Sequence, residues 1–156
     1  CSYYPALYES PLIYKNAILS IQSRNSKYGA GARVKMKHSY NPDYFNTHII
    51  EVMPGPEYDL IPEIKKKELA TRTFTISPLH NRMAIQLAET ISIKIPEIKT
   101  GHALPGTIQC TPSGRLILLM RDCQITGGYA RILQISREGL DILAQKKSGD
   151  TIQLSL

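Results

Sequence analysis

The architecture turns on Gly106-Thr107-Ile108-Gln109-Cys110-Thr111-Pro112-Ser113-Gly114-Arg115-Leu116-Ile117-Leu118-Leu119-Met120. Pro112-Ser113-Gly114 is a tight-turn signal, because proline presets its own φ and glycine accepts the positive φ that other residues avoid. Before the turn, Gly106 to Cys110 reads as a short strand. After it, Leu116 to Met120 is apolar without alternation, the pattern of a strand covered on both sides, and it is placed at the centre of the core.

Similar runs lie on both sides of this hairpin. Thr71 to Ile76, Ala84 to Leu87 and Ile91 to Ile95 are β-branched or alternating segments separated by turn-like residues. His48 to Met53 is a further strand, closed by Pro54-Gly55-Pro56, whose prolines cannot donate to a central ladder. Val34, Met36, His38 and Tyr40 alternate with polar neighbours, and Asn41-Pro42-Asp43 then turns the chain. Downstream, Ser148-Gly149-Asp150 leads into a last strand from Thr151 to Ser155.

Two helices interrupt the series. Pro62 at the first helical position, Glu63 and good helix formers through Ala70 predict about two turns. Ser136 can cap a second helix running from Arg137 to about Gln145, which Gly139 weakens by up to about 1 kcal/mol relative to alanine. Residues 1–31, rich in Tyr, Ser, Asn and Gly, read as a linker or N-terminal arm with at most a short strand at Ala17 to Ile21. Residues 32–156 read as one domain. Some seven to nine short strands with one or two short helices predict an all-β fold closed into a barrel, since closure removes exposed edges.

Composition narrows the function classes. The longest apolar stretch, Leu116 to Met120, is far below the roughly 18 to 20 residues that span a bilayer, so no membrane partner is expected. Cys1, Cys110 and Cys123 lack any Cys-x-x-Cys spacing, which points away from a disulfide framework or zinc site and toward a reducing cytoplasm. The chain opens on Cys1 rather than Met, which reads as the boundary of a longer chain, with a processed lipoprotein start as the alternative. The net charge is +6, and residues 1–38 hold six basic side chains against the single acid Glu9. That basic third lacks Arg-rich runs or a recognition-helix pattern, so a solvated or partner-facing arm is expected and no nucleic acid.

Three segments can carry chemistry. Asp122-Cys123-Gln124-Ile125-Thr126-Gly127-Gly128-Tyr129 follows the buried strand. Its paired glycines can take positive φ and aim successive N–H groups at one anion, with Thr126 as a further donor and Asp122 as base or orienting group. The same residues also suit a plain β-turn tied by Asp122. Ser77-Pro78-Leu79-His80-Asn81-Arg82-Met83 leaves a strand through a proline turn and offers Arg82 either to a carboxylate or phosphate, or to its own loop carbonyls. Gly101 to Gln109 ends on an amide, Gln109, which can read an amide or ureido group or cap a strand edge. The four histidines are scattered without ligand spacing, and no metal site is expected. There is no phosphate-binding Walker loop and no GxSxG elbow.

Taken together, Val52-Met53-Pro54-Gly55-Pro56, Asn81-Arg82-Met83, Gly106-Thr107-Ile108-Gln109, Pro112-Ser113-Gly114, Asp122 with Thr126-Gly127-Gly128-Tyr129, Leu143-Ala144-Gln145 and Gly149-Asp150 resemble the C-terminal half of a known family. It is the family of the 5-oxoprolinase C subunit, the second subunit of allophanate hydrolase, and urea amidolyase. The resemblance covers about residues 49–156. It departs from the family pattern at Ala84, Gln86, Ile125 and Ser148, which bears on substrate more than on fold.

The resemblance implies a cyclophilin-like barrel and a component of an ATP-dependent 5-oxoprolinase, opening 5-oxoproline to glutamate with a B-type partner subunit and the family's N-terminal half. For such a reaction the residue types expected to be catalytic are Asp122 and Thr126, and those expected to bind substrate are Ser77, Arg82, Gln109, Gly127, Gly128 and Tyr129. No cofactor is expected on this domain alone. ATP with Mg is expected in the assembled enzyme, and biotin only if the substrate is urea-derived and the reaction is carboxyl transfer. A third family role is a non-catalytic binding module that antagonises a histidine-kinase inhibitor. The isolated chain is expected to fold without catalysing.

Overall fold

A computed structural model of the chain describes residues 46–93, 95–96 and 98–156, all within a compact unit that spans Asn41–Leu156. The strands expected at Ala17 to Ile21 and Val34 to Tyr40, and the turn at Asn41 to Asp43, lie outside the described residues.

The described residues form strands β1 (Ile49–Pro54), β2 (Thr73–His80), β3 (Ala84–Thr90), β4 (Gly101–His102), β5 (Thr107–Cys110), β6 (Arg115–Leu119), β7 (Thr126–Gly127), β8 (Ala130–Ile135) and β9 (Thr151–Ser155). Helix α1 (Glu63–Thr71) follows β1 and helix α2 (Arg137–Leu143) follows β8. Seven strands close into a barrel in the order β1, β8, β5, β6, β3, β2, β9, and β4 pairs with β7 in a separate two-stranded ribbon. Every barrel pairing is antiparallel except that of β1 with β9, where Ile49 sits opposite Gln153. The all-β expectation of a closed barrel with two short helices therefore holds.

Alternation builds the core. Ile50 and Val52 of β1, Phe74 and Ile76 of β2, Ile85 and Leu87 of β3, and Ile152 and Leu154 of β9 are all buried and two residues apart, as strand pleating requires. β6 is heavily covered after Arg115: Leu116, Leu118 and Leu119 are fully buried and Ile117 is half-buried. Its partner β5 is buried at all four positions, so residues that face away from the core, such as Gln109, must be covered from outside.

Several local readings need correction. Pro62 is the cap of α1 rather than its first helical residue, because its ψ of 142° is extended while its carbonyl accepts the Lys65 and Lys66 N–H groups. β2 does not leave the sheet at Ser77-Pro78. It runs on to His80 with a register shift, for Ser77 Oγ takes the Leu79 N–H and the ladder resumes at His80 opposite Ile85.

Of the strand expected from Ile91 to Ile95, the described residues Ile91 to Ile93 and Ile95 are not in a strand. The Ile91 N–H goes to Gly114 O and the Ile93 N–H to Ile91 O, which turns the chain out of the ladder while both isoleucines stay in the core. Strand β8 has no counterpart among the segments expected from sequence. A register shift against β5, where Ile108 opposes Leu133 but Gln109 opposes Arg131, inserts Ile132 and breaks the alternation.

Helix α2 starts as expected, with Ser136 Oγ accepting the Gly139 N–H at 3.0 Å. Gly139 is explained by packing. A Cβ there would lie 2.8 Å from Ile135 Cγ2 and 3.1 Å from Ile50 Cγ2, so glycine lets the helix sit directly on the barrel wall.

Candidate functional site

The outer face of β5 and β8 carries polar side chains beneath the β4–β7 ribbon. Thr107 Oγ1 donates to Gln134 Oε1 at 3.0 Å, and Gln134 Nε2 donates to Pro105 O at 2.9 Å. Arg131 binds Glu57 through its backbone N–H (2.8 Å), Nε (3.0 Å) and Nη2 (2.6 Å), and its Nη1 reaches His102 O at 2.9 Å. The two side chains are 19% and 13% exposed, so this pair ties the segment after β1, β8 and the ribbon together in a largely dry setting. The hydrogen bonds from Arg131, together with its nearby positive charge, hold the Glu57 carboxyl below the usual carboxylate range, and burial opposes them only in part. Neither residue is among the candidates expected from sequence, because Glu57 and Arg131 are 74 positions apart with no motif to join them.

The ribbon lies close against this layer because one of its two residue pairs is glycine opposite glycine. Gly101 pairs with Gly127, and a Cβ on Gly101 would lie 2.9 Å from Arg131 Nη1 while one on Gly127 would lie 2.7 Å from Gln109 Nε2. Gln109 is 1% exposed, and its Nε2 is a buried nitrogen without a hydrogen-bond partner among the described residues.

Positive φ at Gly127 and Gly128 is not found. Among the described glycines it occurs at Gly106, Gly114 and Gly149 only, so the anion-binding nest expected at Gly127-Gly128 does not form, and Gly127 serves close packing instead. Thr126 is exposed and pairs with His102. Tyr129 is exposed and, with Gly128, lines a narrow cleft shared with Ile95, Pro96, Cys110, Pro112 and Ala130.

Arg82 and Asp122 do meet. Arg82 Nε donates to Asp122 Oδ2 at 2.6 Å and Nη2 to Oδ1 at 3.2 Å, and the Asp122 N–H donates to Arg82 O at 3.0 Å. The Arg82 hydrogen bonds hold the Asp122 carboxyl below its ordinary range. This two-pronged pair joins the β2–β3 turn to the chain leaving β6.

Beside it opens a pocket of about 520 Å³ lined by Arg82, Asn81, Arg121 and Lys146 above Ile85, Met120 and Leu143. Its position follows from the topology: the start of β3, the end of β6 and the end of α2 converge at one end of the barrel. Ser77 stands on β2, half-buried, and its hydroxyl is engaged in the local turn.

The candidates thus divide into two groups. The chain leaves β6 near Gly106, whose N–H binds Leu119 O, and re-enters the barrel at Ala130 opposite Cys110, at the other end of β5. Asp122 and Arg82 belong to the first end, while Gly128 and Tyr129 line their cleft at the second. Gln109 is buried between, beneath Gly127. Among the described residues no cluster of three or more His, Cys, Asp or Glu side chains could hold a metal, and no helix is long and apolar enough to cross a membrane.

A closed barrel with a charged pocket at one end and a glycine-flattened ribbon on its flank is the class these features define. The family model for the carboxyltransferase domain, subdomain A and B, matches residues 8–156, and the chain belongs to that family. It is 32% identical over 107 residues to the C subunit of the Haemophilus influenzae 5-oxoprolinase, a match that covers 67% of this chain and 35% of that protein. The C subunit of the Escherichia coli 5-oxoprolinase is 33% identical over 105 residues, 66% of this chain and 34% of that one. The chain thus spans about a third of the length of these curated relatives. Among solved structures, the Kluyveromyces lactis urea amidolyase superposes with a TM-score of 0.60 at 18% identity, covering 68% of this chain and 7% of that one, a likeness of fold.

Proposed function

We propose that this chain is the barrel part of a 5-oxoprolinase component that acts with a B-type partner subunit and with the family's N-terminal half. The observation that carries the reading is the 32% identity over 107 residues to a 5-oxoprolinase C subunit. A lactam carbonyl is a weak electrophile, so its opening needs activation by ATP and donors that stabilise growing negative charge. This chain's own contribution is to present Arg82, Arg121 and Asn81 over an apolar floor, a setting that binds and orients a small polar molecule. The Gly127-Gly128 backbone, without positive φ, does not fit a triphosphate cradle. ATP with Mg is expected in the assembled enzyme.

The test is assembly of the chain with a homologue of the B subunit and with the family's N-terminal half, followed by ATP-dependent release of glutamate from 5-oxoproline. Turnover is expected in the assembly and none from the 156-residue chain alone. An assembly that hydrolyses no 5-oxoproline, or a lone chain that does, overturns the reading. The family's carboxyltransferase description favours one second reading, carboxyl transfer from biotin to a urea-derived substrate. Carboxylation of urea by the same assembly when it is supplied with carboxylated biotin separates the two.

A further inference from the structure

We propose that the pocket at the α2 end of the barrel takes a compact organic carboxylate, and that the ligand displaces Asp122 from Arg82, so that Asp122 is a built-in competitor rather than a catalytic base. This rests on the reading above that the pocket faces substrate, and it deepens that reading by assigning the anion contact.

The case begins with size and lining. A volume of about 520 Å³ lies within the roughly 300–1,000 Å³ of small-molecule sites, and most of the lining surface is apolar. Ile85, Met120 and Leu143 provide the floor, Asn81, Arg82 and Arg121 stand exposed at the rim, and Lys146 is buried in the lining. Such a pocket suits a molecule with an apolar body and one charged end.

The rim determines the sign of that end. Arg82 presents a guanidinium fork that already holds a carboxylate in bidentate geometry, at 2.6 and 3.2 Å. Arg121 is only loosely occupied, its Nη2 standing 3.5 Å from Asp141 Oδ1. Asn81 Oδ1 is tied to the Met83 and Ala84 N–H groups, so the part of its amide left to meet a ligand is the donor Nδ2. The rim therefore offers donors and cations to whatever enters.

Exchange is cheap because the Arg82–Asp122 pair stands in water. Their side chains are 75% and 41% exposed, and exposed ion pairs contribute little to stability. An incoming carboxylate repeats the fork-to-carboxylate bond that it breaks, while Asp122 returns to solvent. The ligand's apolar body against Ile85, Met120 and Leu143 then supplies the net gain. A proton-abstracting role fits Asp122 poorly, since its oxygens already accept two Arg82 hydrogen bonds that hold it ionised and weakly basic.

The test is a titration of the isotope-labelled 156-residue chain with cyclopentanecarboxylate and, separately, with the neutral cyclopentanecarboxamide, followed by amide chemical shifts. The carboxylate is expected to shift Asn81 to Met83, Met120 to Asp122 and Leu143 to Lys146, and the carboxamide to bind at least about fivefold more weakly, the scale of a lost charge-assisted hydrogen bond. Asp122→Asn is expected to tighten carboxylate binding about threefold, the scale of a lost surface competitor, and Arg82→Gln to weaken it about fivefold, the upper end for an exposed ion pair. Arg121→Gln, at an exposed position, gives a second weakened variant.

Equal binding of acid and amide overturns the inference, as do shifts confined to other regions or weaker binding in Asp122→Asn. If the carboxylate binds as described but the assembly does not turn over 5-oxoproline, the 5-oxoprolinase reading fails and the carboxylate site stands.

Discussion

Replacing Glu57 by alanine is the sharpest test of the polar layer beneath the ribbon. The substitution removes three hydrogen bonds from Arg131 at 2.6, 2.8 and 3.0 Å and leaves its guanidinium with one acceptor, His102 O at 2.9 Å. Breaking a buried pair from one side costs about 3 to 5 kcal/mol, and the residual exposure of both side chains places this one near the lower end, at about 3 kcal/mol. For a chain of this length that loss lowers the melting temperature by roughly 10 °C.

The pH dependence follows from the lowered Glu57 carboxyl, whose native-state value lies below its unfolded one. Its contribution is complete above the unfolded value and is lost as pH falls through the native one. Glu57→Ala should therefore lie well below the wild type at about pH 7 and converge on it in acid. Urea unfolding at neutral pH and at stepped values down to about pH 3 measures both effects. A loss under about 0.5 kcal/mol at neutral pH, or a gap that widens in acid, would refute the reasoning.

Two glycine substitutions separate packing from loop chemistry. Gly114 has φ +79° and a Cβ there would collide with the Ile91 carbonyl, so Gly114→Ala is expected to lose about 3 kcal/mol or to fail to fold, as read by thermal melts. Gly128 has no positive φ and, among the described residues, only Ile98 O within reach at 3.8 Å, so Gly128→Ala should stay within about 0.5 kcal/mol of the wild type. Ser136→Ala should cost about 1 kcal/mol in urea unfolding, through loss of the α2 cap that accepts the Gly139 N–H.

Much of the barrel is legible in the sequence because its strands alternate. β9 lies where its residues predict, β1 is displaced by one residue, and the unbroken apolar run of β6 marks it as a covered strand. What stays hidden is made by tertiary context. Ile132 is inserted by a bulge, so β8 shows no clean period, while Ile91 and Ile93 are apolar because they pack and not because they pair.

The site is legible in part. Asp122 and Arg82 each stand out in the sequence, and the structure joins them by hydrogen bonds. The glycine pair misleads for a general reason: glycine permits positive φ, but it equally permits another group to come close, and at Gly127 the second purpose governs through Gln109. The Arg131–Glu57 pair leaves no local trace at all, since each residue alone resembles an ordinary surface charge.

The parallel pairing of β1 with β9 also bears on how the nascent chain is handled. Ile49 cannot meet Gln153 until β9 has been synthesised, and a sheet without β9 stays open with β1 and β2 as bare edges. Bringing those ends together across roughly a hundred residues opposes closure by about 4 kcal/mol of chain entropy. A growing polypeptide of this kind is exposed to edge-to-edge association until β9 emerges. Removing Thr151 to Ser155 would leave that hazard permanent even though most of the buried side chains would still be present.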